Sequence, residues 1–234
     1  MNDSVERTPG RTRVMDVACV AGLLALTMVA MTLLYAQPIA CTAMIALCAL
    51  LSVHRFRTVP DLRAGLVGCV CGPLAEWAAT GAGLWRYSHP QIHGLPLWTL
   101  PMWWLFPVCN RRLALAFGGE PRESFFLRPL LVMGLEILWL CWWGNASPGL
   151  ALLGILILGG LCFGRSWSRA DTVALVCCGC VGPFAEFIPI RAGAFHYVRG
   201  DLFGMPIWLA PGYALFGIGL LRFAAALSSR ARWK

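Results

Sequence analysis

Long apolar stretches recur along the whole chain and are separated by short segments that carry most of the charged residues. Each stretch has roughly 17–24 residues, which is enough for a helix to cross a hydrocarbon core of about 30 Å. The pattern therefore predicts eight membrane helices, over residues 14–35, 37–54, 62–84, 97–117, 125–143, 148–164, 172–190 and 205–227.

The second half of the chain repeats the first at a constant offset of 110 in the numbering. Residues 61–116 align on 171–226 without a gap, and the identical positions include Asp61/Asp171, Gly72-Pro73/Gly182-Pro183, Ala75-Glu76/Ala185-Glu186, Gly83/Gly193, Tyr87/Tyr197, Gly94-x-Pro96-x-Trp98/Gly204-x-Pro206-x-Trp208 and Pro101/Pro211. A self-match of this length indicates duplication of one unit. We therefore expect an all-α polytopic membrane protein, built as a parallel tandem repeat of four plus four helices.

This repeat divides the chain into four parts: an N-terminal tail over 1–13, repeat 1 over 14–117, repeat 2 over 118–227 and a basic tail over 228–234. Four spans per repeat return the chain to its starting side, so the repeats are expected to be related by an axis along the membrane normal.

Composition agrees with a protein that lies in a lipid bilayer. Of its 234 residues 59% are hydrophobic and 13% are charged, and the mean hydropathy is +0.69. The net charge of +8 comes mainly from arginines at the two ends and between the second and third, fourth and fifth, and sixth and seventh predicted helices. The opposite loops contain only Arg86, Arg191 and Arg199. This bias predicts cytoplasmic termini in a plasma-membrane protein, rather than nucleic-acid binding.

Eleven cysteines are distributed within the predicted helices. Free cysteine behaves as a small hydrophobic residue in packed interiors. The groups Cys69-x-Cys71 and Cys177-Cys178-x-Cys180 are suggestive of a soft-metal pathway. However, they do not align at the offset of 110, and no histidine lies beside them. We therefore expect no metal site and no cofactor. The chain also lacks a nucleotide-binding loop, a dinucleotide fingerprint and a nucleophile elbow.

Glu76 and Glu186 are the candidate catalytic residues, because each is an acid within a predicted span and both repeats contain it. On one continuous helix, Gly72, Gly83 and Tyr87 would share the face of Glu76, and small residues there would allow a neighbouring helix to approach. Both acids are expected in the outer half of the membrane, facing the protein interior. A neutral buried acid could donate a proton, and the alternative is a structural hydrogen bond to a neighbouring helix.

The segment after each acid supplies the candidate substrate-binding residues: Tyr87, Tyr197, Trp98, Trp208, Arg191, His196, Gly83 and Gly193. The fixed spacing of the aromatic residues is typical of a pocket wall, but aromatic residues at helix ends are also interfacial anchors. Trp85, Trp103 and Trp104 are interpreted as such anchors. Arg191 could pair with an anionic group or extend to the membrane surface. Glu136 is a third acid within a span, and it aligns with Leu26, so its role is specific to one repeat.

The string from Glu76 through Gly81, Gly83, Trp85 and Tyr87, followed by Gly94-x-Pro96, resembles a segment of the carotenoid biosynthesis membrane proteins, a family that includes the carotenoid hydratases. The second repeat departs from this string, because Arg191 replaces the first glycine. The resemblance implies an isoprenoid substrate and acid chemistry on a carbon–carbon double bond.

Three functions are compatible with these residues. The first is a membrane enzyme of the hydratase or cyclase type, in which a buried glutamate protonates an isoprenoid or another apolar or amphiphilic lipid. The second is a proton-coupled transporter, because parallel repeats and acids within the membrane suit alternating access. The third is a non-catalytic membrane scaffold. The sequence leaves the oligomeric state undetermined.

Overall fold

The computed structural model describes residues 9–123 and 125–230. Helices account for most of them, and two short strands are also present. In chain order the elements are α1 Pro9–Leu34, α2 Pro38–Arg55, α3 Val59–Gly81, β1 Trp85–Tyr87, α4 Thr99–Phe117, α5 Leu127–Trp143, α6 Pro148–Phe163, α7 Arg169–Val176, a π-helical segment Cys177–Val181, α8 Gly182–Ala192, β2 Phe195–Tyr197 and α9 Leu209–Arg230.

In the described residues, five helical stretches are long and apolar enough to cross a membrane: Arg13–Leu34, Pro38–Arg55, Pro148–Ser166, Arg169–Ala192 and Leu209–Ser228. Helices α3, α4 and α5 pack against these stretches and complete the eight helices that the hydropathy pattern predicts. The eight-helix membrane architecture is therefore confirmed. Of the two tails, residues 1–8 and 231–234 lie outside the described residues.

Several helix boundaries were predicted wrongly. α1 begins at Pro9 rather than at 14, so residues 9–13 of the predicted N-terminal tail are helical. α3 ends at Gly81 rather than at residue 84, because Gly83 adopts a left-handed φ of +73° and reverses the chain. The predicted helix over 172–190 is divided by the π-helical segment, which interrupts the regular hydrogen-bond pattern. The last helix begins at Leu209 rather than at 205. The two strands were not predicted, since each has only three residues.

Equivalent side chains cap the third helix of each half. Thr58 precedes α3 and its hydroxyl accepts a hydrogen bond from the Asp61 backbone N–H, while Ser168 and Asp171 form a reciprocal capping box at the start of α7. Thr58 aligns on Ser168, and Asp61 on Asp171, in the register of the repeat. The repeated aspartates therefore lie in the first turns of two equivalent helices.

The two halves pack with an approximate two-fold relation. α3 packs along α4, and α7 and α8 pack along α9; across the halves, α3 contacts α9 and α7 contacts α4. The strands pair antiparallel with Arg86 opposite His196, and these two residues are themselves equivalent positions of the repeat. An axis through this pair relates the halves, so the repeats are parallel as predicted.

The end of the bundle opposite the strands contains buried ion pairs. Arg112 binds Asp61 through its guanidinium, and Arg111 donates to the same carboxylate at 2.6 Å. In the second half Arg222 donates to Asp171 at 2.9 and 2.8 Å. Arg112 and Arg222 are equivalent at the offset of 110. Each buried aspartate thus has an arginine partner, which offsets the cost of removing both charges from water.

Candidate functional site

Glu76 lies near the C-terminal end of α3 and is 5% exposed. It accepts three hydrogen bonds: from the indole N–H of Trp85 at 3.1 Å, from the Tyr87 hydroxyl at 2.7 Å and from the indole N–H of Trp103 at 3.2 Å. Trp85 and Tyr87 reach Glu76 because the turn at Gly83 directs β1 back over the end of α3. Since an indole N–H only donates, Glu76 acts as an acceptor at both carboxyl oxygens.

Glu186 on α8 has the corresponding arrangement, although it is only partly buried. It accepts a hydrogen bond from the Tyr197 hydroxyl at 2.5 Å and another from the Tyr213 hydroxyl. Tyr197 is the repeat equivalent of Tyr87, and Tyr213 that of Trp103. The donors to both acids are neutral groups, and in the part of the chain that the structure describes neither acid forms a salt bridge.

Both acids line two small cavities between the halves. The first, of about 90 Å³, is also lined by Tyr87, Trp98 and Phe195 and by side chains of α1. The second, of about 70 Å³, is also lined by Glu136 on α5 and by Trp208 at the approach to α9. The two halves therefore contribute one acid each to a shared, mostly apolar interior.

The predicted substrate-binding residues separate into three groups. Trp98 packs edge-on against Tyr87 with ring centroids 5.4 Å apart, and Trp208 packs edge-on against Tyr197 at 6.1 Å. Trp208 also donates to the Gly144 carbonyl at 3.1 Å. These aromatic residues surround the acids.

Arg191 and His196, by contrast, are exposed and line neither cavity. Gly83 and Gly193 are turn residues, with left-handed φ angles of +73° and +89°. The predicted helical stripe through Glu76, Gly83 and Tyr87 is wrong, because α3 ends before Gly83.

Sequence reasoning missed three of the five donors. Trp85 and Trp103 were interpreted as interfacial anchors, but both donate to Glu76, and Trp103 is 6% exposed. Tyr213 was not singled out. The offset of 110 pairs Trp103 with Tyr213, but a comparison by identity passes over this pair because the residue types differ. Both types carry a hydrogen-bond donor at the end of an aromatic ring.

Two further polar side chains are buried without a partner among the described residues. Neither Nδ2 nor Oδ1 of Asn110 has a hydrogen-bond partner, and neither does Oε2 of Glu136. Asn110 is 4% exposed and lines a cavity of about 70 Å³ beside the π-helical segment. The cysteines are free thiols, and in the described residues no cluster of three or more His, Cys, Asp or Glu is arranged to hold a metal ion.

Fold and site together define a multi-pass, all-helical membrane protein with two parallel four-helix repeats, each of which holds one acid in an aromatic donor set. Two solved structures share this fold: a mycobacterial Insig homologue, MvINS, from Mycobacterium vanbaalenii, and a cross-linked trimer of MvINS. The first is 17% identical, with a TM-score of 0.63, and the match covers 73% of this chain and 95% of MvINS. The trimer is 18% identical, with a TM-score of 0.63, and the match covers 74% of this chain and 95% of that one.

At this level of identity the likeness concerns the fold alone. No model of a known protein family matches the sequence, and no curated protein matches it either. The resemblance to the carotenoid biosynthesis proteins stays a prediction.

Proposed function

We propose that this protein is a non-catalytic membrane scaffold, in which the two glutamates hold helices and strands together. The observation that carries the proposal is that several aromatic donors converge on each acid from different elements. Glu76 joins α3 to β1 and α4 through Trp85, Tyr87 and Trp103. Glu186 joins α8 to β2 and α9 through Tyr197 and Tyr213. Such bonds are a structural use of a buried acid, since they satisfy its oxygens.

The small size of the cavities at the acids also favours a scaffold over the isoprenoid enzyme. Pockets that enclose a drug-sized ligand measure about 300–1,000 Å³. The two cavities that reach the acids have about 90 and 70 Å³. A larger apolar groove between α1 and α8, of about 610 Å³, shares Leu24, Met28 and Val181 with the first cavity, but neither acid lines it. The space beside the carboxyl groups themselves is therefore too small for a long isoprenoid. The fold shared with MvINS supports a membrane protein of this architecture and carries no argument for hydratase chemistry.

The structural role of the acids predicts how substitutions change the stability of the protein. In a scaffold, Glu186→Gln should change thermal stability little, because both of its partners are tyrosine hydroxyls, which can also accept a hydrogen bond from the amide NH2. Glu76→Gln should cost about 1–3 kcal/mol, because its NH2 would face an indole N–H of Trp85 or Trp103, which cannot accept. Glu76→Ala should leave Tyr87, Trp85 and Trp103 without their acceptor and cost about 1–3 kcal/mol. The measurement is thermal unfolding of the purified variants in detergent, with Asp201→Asn in the exposed outer loop as a matched control.

Isotope exchange tests the enzyme directly. An acid that protonates an alkene reversibly would transfer deuterium from deuterated buffer into an isoprenoid polyene held in the same bilayer. For a scaffold we expect no deuterium incorporation above that of empty bilayers. Incorporation that requires Glu76 or Glu186, and is lost in the glutamine variants, would overturn the proposal in favour of the hydratase or cyclase. The proton-coupled transporter stays a prediction.

A further inference from the structure

The smaller of the two cavities that reach the acids, about 70 Å³, is lined by three carboxyl side chains from both halves of the protein. Glu76 comes from α3, Glu136 from α5 and Glu186 from α8. Among the described residues, no lysine, arginine or histidine lines it. Nor does any salt bridge within that part of the chain reach one of the three carboxyl groups. The cavity is therefore lined by three carboxyl groups, and no basic side chain of the described residues lies beside them.

Glu136 differs from the other two acids of this cavity in its hydrogen bonding. Glu76 and Glu186 accept hydrogen bonds from aromatic donors, but Oε2 of Glu136 has no hydrogen-bond partner among the described residues, although the side chain is only 1% exposed. A buried carboxyl oxygen without a partner is costly in an apolar environment. The offset of 110 places Leu26 at the equivalent position, so this acid belongs to one half alone and makes the interior asymmetric.

The remaining walls of the cavity suit an organic cation. Aromatic side chains contribute much of the lining, namely Trp85, Trp103, Tyr197, Trp208, Tyr213 and Phe216. Aromatic faces attract ammonium groups, and more strongly when water is excluded. Alanine, leucine and isoleucine side chains and Gly212 complete the wall and suit a short hydrocarbon chain. In contrast, no three acids in the described residues are arranged to hold a metal ion.

The volume limits the ligand to a small molecule. A single water needs roughly 10–15 Å³ of such space, and this cavity has about 70 Å³. We propose that the cavity binds a small alkylammonium ion, with its ammonium group against Glu136 and its hydrocarbon chain among the aromatic rings. This site goes beyond the scaffold proposal, because it assigns the interior a ligand of defined charge and size.

The test measures binding of n-butylammonium chloride to the purified full chain in lipid nanodiscs, by calorimetry and by the indole N–H resonances of Trp85 and Trp103. We expect saturable binding that shifts both resonances, because both rings line the cavity. Two comparators are n-butanol, which has the same chain without the charge, and sodium chloride at equal ionic strength. We expect n-butanol to bind at least about tenfold more weakly, and sodium chloride to leave the resonances unshifted, since the ammonium charge carries recognition.

Substitutions locate the site. Glu136→Gln keeps the shape and removes the charge, so butylammonium should bind at least about tenfold more weakly. Asp201→Asn removes an equal charge from the outer loop, outside the cavity, and should change the affinity by less than about twofold. Gly212→Ala is a second variant that is expected to fold, because the added Cβ would lie 3.5 Å from Oε1 of Glu136, an ordinary contact. It narrows the cavity and should weaken binding severalfold.

Three results would overturn the site: no saturable response to butylammonium, equal affinity for n-butanol, or unchanged affinity in Glu136→Gln. If Glu136→Gln fails to fold, unchanged affinity in Gly212→Ala would overturn it instead. These outcomes are separate from the scaffold test, which depends on the stability of Glu76 and Glu186 variants and on deuterium exchange.

Discussion

At the scale of single residues, equivalent positions in the two repeats reveal which side chains have a role in one half only. Asn110 lies on α4, and its repeat equivalent on α9 is Leu220, which is completely buried. The amide of Asn110 has no hydrogen-bond partner among the described residues. At this position the second half therefore has a buried leucine, whereas the first half has an amide without a hydrogen-bond partner.

Asn110→Leu should accordingly stabilise the protein. The substitution removes a buried polar group without a partner, which is worth about 1–3 kcal/mol, and the two side chains are similar in size. Thermal unfolding in detergent measures the effect, with Leu220→Asn as the reciprocal variant that should destabilise by a similar amount. A lower stability of Asn110→Leu would contradict this account and show that the amide is satisfied by a ligand or by ordered water.

At the scale of elements, the third and fourth helices of each half approach closely where glycine leaves room for a large aromatic residue. A Cβ at Gly72 would lie 2.0 Å from the ring of Trp103, and a Cβ at Gly182 would lie 2.9 Å from the ring of Tyr213. Small residues allow membrane helices to pack closely without a hydrophobic driving force. These contacts place Trp103 and Tyr213 where they can donate to the acids.

Gly68→Ala should separate α3 from α4. The added Cβ would lie 2.0 Å from the backbone carbonyl oxygen of Trp103, so a helix must move. We expect a loss of about 1–3 kcal/mol, the usual cost of overpacking. Gly134→Ala on α5 is the matched control, because its Cβ would meet no atom within 4 Å. It should be neutral or stabilising by up to about 1 kcal/mol, since alanine favours helix.

Unfolding of both variants in detergent provides the comparison. If Gly68→Ala were as stable as Gly134→Ala, the close approach of α3 and α4 would not limit the stability of the bundle.

At the scale of the whole molecule, two layers at opposite ends organise the bundle. The strand pair lies at one end, and the buried pairs Asp61–Arg112 and Asp171–Arg222 lie at the other. The halves repeat both layers, as expected for repeats with parallel orientation. The distribution of arginines predicts that the ion-pair end faces the cytoplasm.

Reporter fusions test this orientation. A reporter placed after Arg230 should read as cytoplasmic, and one inserted in the 85–96 loop should read on the opposite side. The reason is that basic residues concentrate in the loops on the ion-pair side. Labelling of both positions from the same side would contradict the parallel arrangement of the repeats.

The sequence by itself determined the membrane class, the eight helices, the parallel repeat and the location of Glu76 and Glu186 on its third helices. These properties follow from features that are local or periodic: the length of each apolar run, the distribution of arginines and the constant offset between the two halves. The predicted starts were close at α3, which follows the Thr58 cap, and at α6, which begins with Pro148.

Only the tertiary structure decided what surrounds the acids. Trp85 reaches Glu76 because Gly83 reverses the chain, and Trp103 reaches it because α4 lies against the glycines of α3. These contacts depend on how separate elements pack, which neither hydropathy nor spacing specifies. The strand pair depends on packing as well, because its two strands come from opposite halves of the chain. So does the environment of Glu136, since only the packing of α5 against the other elements leaves its Oε2 without a hydrogen-bond partner among the described residues.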